Sequence, residues 1–97
     1  MTRRRYSMAY LTASRLAPPM AVRLAAELGY SDVGLRLLPA APGGASTPLH
    51  ASPALLRETL AALDDTGIGV FDLEIIRIGP GFRPADHEAF LATGQRL

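Results

Sequence analysis

Short strand-forming runs alternate three times with stretches of helical period along this chain. Residues 6–12 (Tyr-Ser-Met-Ala-Tyr-Leu-Thr) have strand character. Pro18 and Pro19 then open a helix, where the first-turn N–H groups have no partner to lose. Ala21, Leu24, Ala25 and Leu28 follow at i, i+3, i+4 and i+7, one face of a helix. Gly29 stands where a left-handed glycine ends such a helix. Residues 32–38 form the second strand, apolar almost throughout, as suits a parallel strand covered on both faces. Ser52-Pro53 reads as an N-cap followed by proline at the first helical position. Leu56, Leu60 and Leu63 mark the buried face of the second helix, with Leu55 beside it, over residues 53–66. The third strand covers 69–78. Gly79-Pro80-Gly81 breaks it, and a third helix over 84–97 carries a stripe of Phe90, Leu91, Gly94 and Leu97.

This order, β-α-β-α-β-α, implies parallel strands in the order 1-2-3 joined by right-handed helical crossovers. The expected fold class is α/β. Two layouts fit, a sector of a (β/α)8 barrel or a small open sheet, and both gather ligands at the carboxyl ends of the strands. Three strands with helices on one face leave the other face bare and the outer edges unpaired. A full barrel takes ~250 residues, and the 97 residues here form one domain containing three consecutive β-α units of it. The expectation is therefore an incomplete barrel, the front portion of a larger fold, with its final helical pattern running uncapped into Gln95-Arg96-Leu97.

Charge and composition narrow the function. Ten arginines and no lysine oppose nine acids, for a net charge of +1. That balance lacks the basic excess of a nucleic-acid-binding face, so no nucleic-acid partner is expected. Cysteine is absent, which removes disulfides, thiolate metal sites and a cysteine nucleophile. No run of ~18 uncharged apolar residues reads as a membrane span. The leader Arg3-Arg4-Arg5 lacks the long apolar run and cleavage site of a signal. It reads as a charged segment before the first strand, and the expected compartment is cytoplasmic.

Three strand regions carry a family resemblance. Strand one contributes Ala9-Tyr10-Leu11-Thr12. The approach to strand two is Ala25-Ala26-Glu27-Leu28-Gly29-Tyr30, and its body is Val33-Gly34-Leu35-Arg36-Leu37-Leu38-Pro39. Leu56-Arg57-Glu58-Thr59-Leu60 precedes Gly67-Ile68-Gly69-Val70, and strand three adds Asp72-Leu73-Glu74-Ile75-Ile76-Arg77. Together these resemble the sugar phosphate isomerase/epimerase family of xylose-isomerase-like TIM barrels. The likeness spans nearly all of the chain but only the first three-eighths of the family's barrel. It implies metal-assisted proton transfer next to the carbonyl of a small sugar or sugar-acid substrate, with a divalent ion (Mn, Mg, Zn or Co) as cofactor. Most of the family's metal ligands lie on later strands. Here Glu74 is the candidate ligand, and no ion is expected to bind tightly to this chain alone, which is expected to be inactive by itself. Gly34 stands where many members carry a Glu.

Alternation puts Val70, Asp72, Glu74 and Ile76 on one face of strand three and Phe71, Leu73 and Ile75 on the other, apolar face. Asp72 and Glu74 are then the candidate catalytic acids, turned toward the barrel axis, as base or ligand. Arg36 shares the row of Gly34, so it also points inward. Beside Glu74 it favours charge pairing or anion binding over a protonated acid. Arg36, Arg77 and Arg83 form a candidate grip for a phosphate or carboxylate. Tyr10 and His50 are further candidate substrate contacts, His50 from the long loop 39–51, which is placed to act as a lid. His87 reads as a solvated helix residue. The competing reading is a non-catalytic α/β module that self-associates, or docks on a partner chain, through its uncovered sheet face and strand edges.

Overall fold

The computed structural model describes residues 4–97, so Arg3 of the arginine leader lies outside the described residues, while Arg4 and Arg5 are within them. The described residues form strands β1 (Ser7–Met8), β2 (Asp32–Arg36) and β3 (Gly69–Glu74) and helices α1 (Pro18–Glu27), α2 (Pro53–Thr66) and α3 (Glu88–Arg96). The sheet is parallel throughout, in the order β1-β2-β3. The chain is thus an α/β protein with sequential parallel strands.

Packing explains where each helix sits. Met8, Val33, Leu35 and Leu37 project from the sheet into a core closed by Ala21, Val22 and Ala25 of α1 and by Leu56 and Ala62 of α2. Small residues at 21 and 25 let α1 lie close to the strands. Leu28, expected on that face, is 61 % exposed, and Val22 takes its place in the core. Arg23 of α1 reaches Asp65 of α2 at 3.1 Å on the surface. Phe90 and Thr93 anchor α3, while Leu91, expected in its stripe, is exposed. Gly94 gives room to Leu73, whose Cδ1 lies 2.9 Å from where a Cβ at residue 94 would be.

Helix ends follow the sequence signals, with one exception. Pro18 and Pro53 stand at first helical positions. Gly29 and Gly67 adopt the left-handed region, at φ 88° and 74°, and Gly67 donates its N–H to Leu63 O at 2.9 Å. Ser52 precedes α2 without a side-chain capping bond; its carbonyl accepts from Leu56 N instead.

The strands are shorter than expected. β1 ends at Met8, and Tyr10–Ala13 form a 3-10 turn. β2 stops at Arg36 because its next two amides, Leu37 N and Leu38 N, both donate to Glu74 O, which ends the regular ladder. β3 stops at Glu74, not at residue 78; the Glu74–Ile75 peptide is cis. The third helix begins with a 3-10 turn at Pro84–His87 before α3 proper.

Alternation along β3 is also interrupted. Val33 pairs with Val70 but Gly34 pairs with Asp72, so Phe71 is an extra residue in the strand, the arrangement of a β-bulge. Phe71 is consequently 71 % exposed and not packed under a helix. Val70, expected beside the acids, packs against the core together with Leu73, and Ile76 does so in place of Ile75.

Candidate functional site

The helices cover one face of the sheet, and the other face carries the charged side chains. Strand alternation along β2 turns Val33 and Leu35 into the core and leaves Asp32, Gly34 and Arg36 on the opposite side. Register then fixes their neighbours on β3: Gly69 beside Asp32, Asp72 beside Gly34, and Glu74 beside Arg36. The polar row is stacked from the amino to the carboxyl ends of the strands. Residues 32–35 of β2 are buried on both faces, as expected. Its second face is closed by charged side chains from neighbouring segments, with no second helix layer among the described residues.

At the carboxyl end Arg36 Nη2 donates to Glu74 Oε1 at 2.9 Å and to Oε2 at 3.4 Å. The pair is largely withdrawn from solvent, with side-chain exposures of 12 % and 27 %. The Tyr10 ring lies 4.7 Å from the Arg36 guanidinium carbon, a cation–π arrangement that fixes the plane of the arginine. The tyrosine hydroxyl donates to Ser14 O at 3.4 Å. Arg36 Nε is buried without a hydrogen-bond partner.

Asp72 lies next to this pair. Its carboxylate fills the space left by the missing side chain of Gly34. Burial, and then the negative charge of Glu74, push its carboxyl above the ordinary value of 3.8. Both causes disfavour the ionised form, although the residue as a whole stays exposed, and Glu74 is the partner of Arg36.

The amino end of the same face has a separate ion pair. Arg5 grips Asp32 with two hydrogen bonds, Nε to Oδ2 at 3.0 Å and Nη2 to Oδ1 at 2.8 Å. The hydrogen bond and then the charge of Asp32 raise the Arg5 pKa. Sequence reasoning missed this pair. The signal for it was Asp32 one residue before an apolar run, but its partner lies 27 residues away and only parallel pairing of β1 with β2 brings the two together.

Other candidates are placed elsewhere. Arg77, three residues past Glu74, is exposed and donates from Nε to Ala40 O at 2.6 Å, tying the loop after β3 to the loop after β2. His50 sits in a 3-10 turn (Leu49–Ala51) with its ring 6.5 Å from that of Phe90 in an edge-to-face contact, and its Nδ1 is buried without a partner. The expected three-arginine grip does not form as such. Arg36 is taken by Glu74, while Arg77 and Arg83 line a different cavity with His87.

As metal donors the residues present do not suffice. Among the described residues no three His, Asp or Glu side chains come together, and of the two carboxylates that do, Glu74 already serves Arg36. Among the described residues no helix is long and apolar enough to cross a membrane. Compared with protein-family models, with curated proteins and with solved structures, the chain gives no match.

Proposed function

We propose that this chain supplies three consecutive β/α units of a barrel of the sugar phosphate isomerase/epimerase kind, and that the helix-free face of its sheet is one wall of a cavity for a small polyhydroxy carbonyl compound. The observation that carries this reading is the grouping of Asp72, Glu74, Arg36 and Tyr10 at the carboxyl ends of β2 and β3, opposite the helices. In parallel β/α architectures that end of the strands is where ligands are handled.

The roles follow from the geometry. Asp72, raised in proton affinity and not committed to a guanidinium, is the proton acceptor for a carbon next to a carbonyl, and returns that proton to the product. Arg36, held by Glu74 and Tyr10, presents its remaining N–H groups to the oxygen on which negative charge develops. Glu74 positions Arg36. No step is assigned to a divalent ion, because these residues alone do not make a site for one. The chain by itself is accordingly a binding surface without turnover.

Amide NMR of the intact chain titrated with a ketose and with a sugar acid tests this. Shift changes centred on Gly34, Arg36, Asp72 and Glu74, abolished by Asp72→Asn with Arg36→Met, are expected. Changes scattered over the helices, or none at sugar concentrations well into the millimolar range, would refute it.

A second reading has its own support. Among the described residues β3 pairs with β2 on one side only, and Phe71 projects from it at 71 % exposure, so an edge unpaired among those residues lies beside an exposed aromatic and is available for self-association. Sedimentation velocity decides: concentration-dependent dimers lost on Phe71→Ser favour this reading, and a monomer at all concentrations excludes it.

A further inference from the structure

The loop between β3 and α3 encloses an open cavity of about 370 Å³ whose lining includes Arg77, Phe82, Arg83, Asp86 and His87. We infer that this cavity binds the phosphate group of a small phosphate monoester, with Arg77, Arg83 and His87 as its donors. None of these residues belongs to the Asp72–Glu74–Arg36 group, so the inference stands apart from the reading of the sheet face.

Three observations support it. First, the cations here are unspent. Among the described residues neither arginine makes an ion pair, although Asp86 lines the same cavity; the ion pairs found involve Arg5, Arg23 and Arg36. Two guanidiniums and an imidazole around one volume, opposed by one carboxylate, leave a positive surplus that an anion offsets.

Second, two of the three donors are held in place. Arg77 spends its Nε on Ala40 O, which orients the guanidinium and leaves its terminal N–H groups for a ligand. His87 stacks on Phe82, with centroids 5.4 Å apart and planes 17° from parallel. Stacking occupies one face of the imidazole and leaves its nitrogens at the edge. The backbone beneath is pinned by Phe82 N to Gly79 O and Asp86 N to Arg83 O, at 3.0 and 3.1 Å.

Third, shape selects the ligand. A planar guanidinium matches two oxygens of a phosphate at once, and two guanidiniums with an imidazole lining one cavity offer donors to an oxyanion with several acceptor oxygens. The volume exceeds that of a bare phosphate, and Ile78, Pro80 and Phe82 give the remainder an apolar wall. That remainder accommodates the carbon skeleton of a phosphorylated small molecule.

Calorimetry and amide NMR on the intact chain in a phosphate-free buffer provide the test, with inorganic phosphate, glucose 6-phosphate and glucose as probes. Both phosphates are expected to bind with shifts centred on residues 77–87, and glucose is expected not to. Arg83→Ala, which removes no side-chain hydrogen bond or ion pair among the described residues, should weaken glucose 6-phosphate binding roughly tenfold or more, as loss of a charge-assisted hydrogen bond does. Arg77→Ala with Arg83→Ala should abolish it, while Arg57→Ala on α2 should leave it unchanged. Absence of phosphate binding, or binding that survives the double substitution, overturns the inference. Glucose binding as well as its phosphate overturns it equally. Asp72→Asn should leave this binding intact, which separates its outcome from that of the sheet-face experiment.

Discussion

The Asp72 carboxylate lies where a side chain at Gly34 would stand: a Cβ at residue 34 would overlap Asp72 Oδ1 and lie 3.4 Å from its Cγ. Among the described residues the acid has no ion-pair partner holding it there, and Arg36 is engaged by Glu74. Gly34→Ala should therefore displace the carboxylate toward solvent and leave the strand intact. The steric cost is partly offset by the lower backbone entropy of alanine, so the stability loss should be about 1 kcal/mol or less. Urea unfolding measures that loss. Carboxyl ¹³C titration should show the Asp72 pKa falling back toward its ordinary value.

Burial and the neighbouring Glu74 raise the Asp72 pKa, and this has a definite sign for stability. The native state holds the Asp72 proton up to a higher pH than the unfolded chain does. Stability contributed at this position is thus lost as pH rises through the window between the unfolded value, near 3.8, and the raised native one. Below that window both states are protonated and the position is neutral. Asp72→Asn should raise the melting temperature at pH 7 and change it little at pH values below the window. A stabilisation that is the same at both pH values would contradict the assignment.

The sequence pattern carried much of this architecture. Proline at 18 and 53 and glycine at 29 and 67 act through local backbone geometry alone, and α1 and α2 begin and end close to where those residues placed them. The parallel order of the strands follows from alternation of elements. The pairing of Arg36 with Glu74 followed from strand period and adjacency, and it is present at 2.9 Å. The bulge at Phe71 could not be read, because it depends on how β3 registers against β2 where Gly34 leaves room for Asp72. That single extra residue exposes Phe71 and puts Val70 with Leu73 in the core. Tyr10 left the strand for a similar reason. Its ring packs over a guanidinium supplied by another strand, and local propensity contains no record of that contact.

Arg36 and Glu74 should be strongly coupled. Removing Glu74 leaves a largely buried guanidinium without its carboxylate, and its Nε is already unpaired. Breaking a fully buried pair costs about 3–5 kcal/mol. With Glu74 27 % exposed, about 1–3 kcal/mol is expected for Glu74→Gln after discounting for solvent screening. Arg36→Met keeps the packing against Tyr10 and removes the charge, so Arg36→Met with Glu74→Gln should be more stable than Glu74→Gln alone. Denaturant unfolding of all four chains closes the cycle. Additive losses would show that the pair is not coupled.

Gly69 and Gly34 both face an aspartate across β2 and β3, but they should tolerate alanine differently. A Cβ on Gly69 would lie 2.5 Å from Asp32 Oδ1, and Asp32 is clamped by Arg5 through two hydrogen bonds. The Asp32 carboxylate cannot turn aside without breaking them, whereas among the described residues Asp72 has no such tether. Gly69→Ala should cost about 1–3 kcal/mol, as overpacking at a held position does, and more than Gly34→Ala. Adding Arg5→Met should reduce the increment, because it frees Asp32 to rotate. Thermal unfolding of the single and double variants measures this difference. An equal cost for Gly69→Ala with and without Arg5 would mean that the strand backbone, and not the ion pair, sets the resistance.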